Sequence, residues 1–400
     1  MSVSTQDRSP GVTAAAGFRA AGVTAGLKPS GRPDLALVVN DGPAQVGAAV
    51  FTTNRVQGAP VKWSRQAVAD GVVSAVVMNS GGANVSTGAA GFQDAHSTAE
   101  RVAAALGLSA GDVVVGSTGL IGERLPREIL LGGVDQAAAA LSTTGGLDAA
   151  VAIMTTDTVP KTAHLTIPGD FGTWTVGGMA KGAGMLAPAL ATMLCVITTD
   201  AVVDAATADR ALRTATSRTF DRIDSDGCMS TSDTVVLLAS GASGAAPDPE
   251  GFLAGVEAVC AQLAQQLVAD AEGATHDISI TVMGATTEEA AVAVGRAVAR
   301  SNLFKAAIYG NDPNWGRVLA QVGTVPEDVA PYDPDELDVT INGVQVCKAG
   351  AAHESRSKVD LRAGRLVTVL VDLHAGSEVA TVWTNDLTHD YVTENSEYST

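Results

Sequence analysis

Short apolar runs alternate with polar, glycine-rich breaks along most of the chain. Leu35–Asn40, Gly47–Thr53, Val72–Met78, Asp112–Gly116 and Thr234–Ala239 are compact runs rich in small and β-branched residues. Runs of this length, bounded by turn residues, predict buried strands. Ala163–Ile167 and Thr173–Val176 predict a hairpin, and Thr192–Thr198 predicts a further buried strand. Ile278–Met283, Leu337–Ile341, Leu366–Leu373 and Ser377–Thr384 complete the predicted strands. Helices are predicted over Ser64–Asp70, Gln93–Leu106, Pro126–Ala140, Asp148–Met154, Ala205–Thr216 and Phe252–Ala271. Another opens on a capping box of Thr286 and Glu289 and runs to Ser301. Asn311–Arg317 is a polar loop opening one more helix, and Ala14–Lys28 is small and glycine-punctuated. Strands alternating with helices predict an α/β fold. With 400 residues, two domains or one large layered domain are expected, and Ser240–Glu250 is the best linker.

Composition narrows the function. Hydrophobic residues are 46% and charged residues 17%, enough apolar material for a large core; aromatics are only 4%, so Ala, Val, Leu and Ile must fill it. The formal charge of −18, with no basic stripe, argues against a nucleic-acid partner. The longest apolar stretch, Met185–Ile197, contains Pro188 and is shorter than the ~20 residues of a membrane span. No signal peptide is visible, and Cys195, Cys228, Cys260 and Cys347 show no metal or disulfide spacing, which suits a reducing cytoplasm. The six histidines are scattered and form no ligand motif, so no metal is expected. Neither GxGxxG nor a Walker A sequence is present, so no nucleotide cofactor is expected.

Three glycine-rich breaks stand out. Asn79–Gly88 and Ser117–Gly122 each follow a predicted strand and precede a helix, which places backbone N–H groups at the strand's carboxyl end. Gly177–Pro188 is read as a loop containing one charge, Lys181, and it runs toward the predicted strand at Thr192. A threonine hydroxyl is a weak nucleophile until a base takes its proton. One solution makes the threonine N-terminal, so that its own α-amine is the base. Inside this chain that requires a cut between Ala191 and Thr192, through attack of the hydroxyl on the preceding carbonyl. The same residues also fit an ordinary strand preceded by a glycine turn, and spacing alone does not separate the two. A Ser-His-Asp triad has no G-x-S-x-G elbow to support it.

The run Gly178–Pro188 followed by Leu190-Ala191-Thr192-Met193-Leu194 resembles the self-cleaving ornithine acetyltransferase family of arginine biosynthesis. Ala16–Phe18, Asn79–Gly88, Ser117–Gly122, Met154–Asp157, Ala269–Gly273, Asp312–Arg317 and Glu394–Ser396 resemble it in the same order. The resemblance implies a layered αββα sandwich, reminiscent of N-terminal-nucleophile hydrolases, with a smaller α/β lobe. It implies self-cleavage into an α chain ending at Ala191 and a β chain beginning at Thr192, assembled as an α2β2 heterotetramer. It implies transfer of acetyl from N-acetylornithine to glutamate through acetyl-Thr192, and some members also accept acetyl-CoA. Thr118 and Gly119 match the oxyanion-stabilising pair; Thr155, Lys181, Thr192, Glu272, Asn395 and Thr400 match the substrate contacts. Lys181 suits an α-carboxylate and Glu272 the ornithine ammonium. Ser232 and Gly82 stand where the family usually has Asn, and Ser86 where many members have Cys. These departures sit beside the expected site.

Overall fold

The computed structural model describes residues 9–169, 172–187 and 193–397. The chain opens with β1 (Phe18–Val23), β2 (Leu35–Asn40) and β3 (Val46–Phe51). It continues through α1 (Ala59–Ala67), β4 (Ala75–Asn79), α2 (Gly88–Leu106), β5 (Val113–Ser117), α3 (Arg127–Ala140) and α4 (Gly146–Ala152). The hairpin of β6 (Lys161–Gly169) and β7 (Gly172–Lys181) leads to β8 (Leu194–Thr199), α5 (Ala205–Arg218), β9 (Thr234–Ala239) and α6 (Pro249–Ala269).

These elements make four layers. One sheet has the order β1-β2-β4-β5 and the other β3-β9-β8-β7-β6. Alternation along a buried strand sends its side chains to two different cores. Ala36 and Val38 of β2 meet Val196 of β8 and Val236 of β9 between the sheets. Leu35, Leu37 and Val39 face outward onto Val102 of α2 and Val134 of α3. Cys195 and Ile197 of β8 face Leu212 of α5 and Val259 and Leu263 of α6 on the opposite outer side. The αββα sandwich expected from the resemblance is present. At 21 residues α6 is long and apolar enough to cross a membrane, yet Phe252, Val256, Val259 and Leu263 are core side chains of the outer helix layer.

Residues 240–250 turn the chain from β9 into α6 within this sandwich. Ser240 is buried there, and the Ser243 hydroxyl donates to the Asp200 carbonyl oxygen at 2.7 Å. The second lobe starts later, with β10 (Asp277–Ala285), α7 (Glu288–Ala299), α8 (Asn302–Tyr309) and α9 (Trp315–Val322). It continues with β11 (Asp338–Ile341), β12 (Val344–Lys348), β13 (Ala351–Ala352), β14 (Leu366–Asp372) and β15 (Glu378–Asn385), and α10 (His389–Glu397) follows. Its sheet, β13-β12-β11-β14-β10-β15, shares a separate core with α7, α8 and α9. The cap of α7 is Thr287 rather than Thr286: the Thr287 hydroxyl oxygen accepts the Ala290 N–H at 3.1 Å.

A close approach between two elements explains why β1 escapes sequence reading. Its Gly22 lies against α4, and a Cβ there would sit 1.9 Å from the Asp148 carbonyl oxygen. Backbone cannot give way as a flexible side chain does. Gly22→Ala is expected to cost about 3 kcal/mol, read as a lowered urea midpoint with unchanged m-value.

Candidate active site

The segment expected to be a loop from Gly177 is strand as far as Lys181. Gly177 and Gly178 are buried positions of β7, not turn residues. A Cβ on Gly177 would meet the Gly11 carbonyl oxygen at 2.2 Å, and one on Gly178 would meet Ile197 at 2.8 Å. Glycine is used here for close packing on both faces of the strand. The turn begins at Gly182, with φ of 155°, and Met185 adopts a φ of 53°. Ala191 and Thr192, the expected cleavage pair, lie outside the described residues, as does Thr400. Their neighbour Met193 is described: its side chain is buried and its N–H donates to Asp233 Oδ1 at 3.0 Å. Burial holds the Asp233 carboxyl well above the usual carboxylate range.

Lys181 ends β7 and is buried. Its Nζ donates to Thr118 Oγ1 at 3.4 Å and lies 4.0 Å from Asp157 Oδ2. Thr118 immediately follows β5, and its N–H donates to the Asn79 carbonyl oxygen at 3.0 Å. The same hydrogen-bond pattern ties the two glycine loops together, since Gly82 N–H donates to the Thr118 carbonyl oxygen at 3.0 Å. Gly119 has φ of 127°, and a Cβ there would press on Gly82 N at 2.8 Å. A side chain is therefore excluded at Gly119 by both backbone conformation and space. Burial lowers the Lys181 ammonium below its ordinary value, and Asp157 opposes that.

On the other side of the Gly182–Ala187 turn, Glu272 N–H donates to the Ala183 carbonyl oxygen at 3.0 Å. The Glu272 carboxylate lies over Gly184, where a Cβ would meet its Oε2 at 2.5 Å. Asn395 of α10 donates its side-chain amide to Glu272 Oε2 at 3.0 Å. A cleft of about 1540 Å3 is lined by Gly119, Thr155, Glu272 and Asn395, together with Lys28 and Asp157. Thr118 and Lys181 do not line it; both are buried. Thus the structure gathers Thr118, Gly119, Thr155, Lys181, Glu272 and Asn395 around the Gly182–Ala187 turn.

Sequence reading missed the charges between them. Asp157 Oδ1 accepts Lys161 Nζ at 2.6 Å and Gly182 N–H at 2.7 Å; Asp157 Oδ2 accepts Thr155 N–H at 2.9 Å. Lys161 Nζ also donates to Asp270 Oδ2 at 2.6 Å. Burial pushes the Asp157 carboxyl up, but the two ammoniums and the Gly182 N–H outweigh it and bring it down to about 2. A lysine opening a strand beside Thr155-Thr156-Asp157 was the available signal. Lysine is almost never fully buried unless it is paired.

The sequence profile of the ArgJ family matches residues 19–400. The chain belongs to the ArgJ family. It is an enzyme of arginine biosynthesis, an acyltransferase. The arginine biosynthesis bifunctional protein ArgJ of Streptomyces avermitilis is 62% identical over 388 residues, covering 97% of this chain and 99% of its own length. The corresponding protein of Thermobifida fusca is 62% identical over 389 residues, covering 97% and 100%. Among solved structures, the ornithine acetyltransferase of Mycobacterium tuberculosis complexed with ornithine is 55% identical. It matches 46% of this chain and 96% of its own, with a TM-score of 0.43.

Proposed function

We propose that this ArgJ-family chain cuts itself between Ala191 and Thr192, and that Thr192 then carries an acetyl group from N-acetylornithine to glutamate. One observation carries the reading: Lys181, Thr118 and the Glu272–Asn395 pair converge on the Gly182–Ala187 turn, which precedes Thr192 by five residues in the sequence. In the first half-reaction the Thr192 oxygen attacks the acetyl carbonyl carbon. The Thr192 α-amine takes the hydroxyl proton and passes it to the leaving nitrogen as the C–N bond breaks. Ornithine departs as the free amine. In the second half-reaction the glutamate amine attacks the acetyl ester, and Thr192 is restored.

The Thr118 hydroxyl and Gly119 N–H are the oxyanion donors in this reading. Because Lys181 donates to Thr118 Oγ1, the Thr118 proton is free to point at another acceptor. Lys181 faces the α-carboxylate, Glu272 the side-chain ammonium of ornithine, and Thr155, Asn395 and Thr400 complete the pocket. Acetyl-CoA serves as a second donor for glutamate, in keeping with the bifunctional description of the relatives. The α and β chains assemble as α2β2. The four cysteines are all unpaired, which suits a cytoplasmic setting.

Intact-mass spectrometry tests the reading. After incubation with N-acetylornithine and without glutamate, the fragment beginning at Thr192 is expected to gain the mass of one acetyl group, and added glutamate is expected to remove it. A full-length chain that turns over substrate uncut, or steady release of free acetate without a glutamate requirement, would overturn it.

A further inference from the structure

Two fully buried lysines in one network need a reason. Lys161 and Lys181 are among the largest fully buried side chains of the described residues. Desolvating an ammonium is costly unless it is paired and hydrogen-bonded. Both face the same carboxylate, that of Asp157, at 2.6 and 4.0 Å. Asp157 also receives the N–H groups of Thr155 and Gly182. It therefore touches three segments at once: the Thr155 turn, the end of β7, and the start of the Gly182–Ala187 turn. Lys161 extends the chain of charges to Asp270, two residues before Glu272.

Resting on the acetyl-transfer reading above, we propose that Asp157 is the positioning residue for that reaction. Its carboxylate fixes Thr155, Lys181 and Gly182 against one another and supplies the negative charge that keeps Lys181 an ammonium. A neutral Lys181 attracts a substrate carboxylate no longer, and it polarises Thr118 less. Lys181 feels Asp157 and Lys161 most strongly among charged groups, then Asp233 and Glu272, and Lys28 also acts on it. Asp157 and Glu272, and Asp233 once ionised, favour its charged form, and the two lysines disfavour it.

This arrangement gives opposite signs to two substitutions. Activity that needs the Lys181 ammonium is lost as pH rises through its pKa. Asp157→Asn removes the nearest negative charge, so the alkaline limb of the kcat/KM profile is expected to move down by about 1 unit or more. The KM for N-acetylornithine is expected to rise about tenfold. Lys161→Met removes a like charge and leaves Asp157 to Lys181 alone, so the limb is expected to move up. A purely structural lesion would lower activity without moving the limb in opposite directions.

The experiment measures the pH dependence of kcat/KM for wild type and both variants, each first checked for fragmentation on a denaturing gel. An unmoved limb in Asp157→Asn, or the same direction in both variants, would overturn the proposal. If Asp157→Asn does not fold or process, the Lys161→Met limb decides by itself: up supports, unmoved or down overturns. Failure of the underlying acetyl-transfer reading is visible separately, as a wild-type enzyme that forms no acetyl adduct at Thr192.

Discussion

Thr192→Ala is expected to leave the chain as one full-length polypeptide and to lower acetyl transfer by at least ~10^4-fold, the scale of removing a covalent nucleophile. Both effects follow from one missing oxygen. In the proposed mechanism, without it nothing would attack the Ala191 carbonyl, so no α-amine would be released, and nothing would accept the acetyl group. Thr192→Ser separates the two roles of the residue. It keeps the oxygen but drops the methyl group that restricts the side chain to few rotamers. It is expected to process and to turn over, both more slowly than wild type. A denaturing gel and a coupled assay for ornithine release read the two effects independently. An uncut Thr192→Ala chain with near-normal turnover would remove threonine from the mechanism.

The second large effect is expected at Thr118. Thr118→Val keeps the volume and β-branching of a buried residue and deletes only its hydroxyl. Loss of one oxyanion donor typically costs about 3 kcal/mol, or 10^2- to 10^3-fold in kcat. Here the loss is expected mainly in kcat, with KM for N-acetylornithine changed little, because the developing charge exists only in the transition state. The substitution also deprives the Lys181 ammonium of the acceptor 3.4 Å away. A variant with normal kcat and a raised KM would assign Thr118 to substrate binding instead.

What the sequence made legible follows from how each feature is encoded. Leu35–Asn40 and Thr234–Ala239 are strands over the residues expected, because both of their faces are covered and the run is apolar without interruption. Strand β1 was illegible for the opposite reason. Phe18–Val23 contains Arg, two Ala and Gly22, chosen for the closeness of α4 rather than for strand propensity. The same logic disguised Gly177 and Gly178, whose missing side chains make room for Gly11 and for Ile197. Helix α8 was missed because Ser301, expected as the end of one helix, is the cap of the next, accepting the Phe304 N–H at 3.2 Å. In the candidate site, Thr118, Lys181 and Glu272 were singled out through the family resemblance, and the structure brings them near one turn. Asp157, Lys161 and Asp270 were not, since their pairing depends on contacts 4 and 109 residues apart in sequence. No local pattern records the longer of these.

The two strands on either side of the Ala191–Thr192 bond are hydrogen-bonded neighbours. β7 and β8 pair from Val176 with Thr199 to Lys181 with Leu194, and β3, from the N-terminal half, pairs along β9, from the C-terminal half. A cut there severs the polymer without severing the sheet. Before it, folding is the reaction of a single molecule, its ends held together by the peptide chain. After it, any enzyme that unfolds becomes two molecules that must meet again, at a rate set by their concentration. The self-cleavage proposed above would thus work as a ratchet in this fold: the sheet forms while the chain is whole, and a barrier to unfolding would then keep the two fragments together.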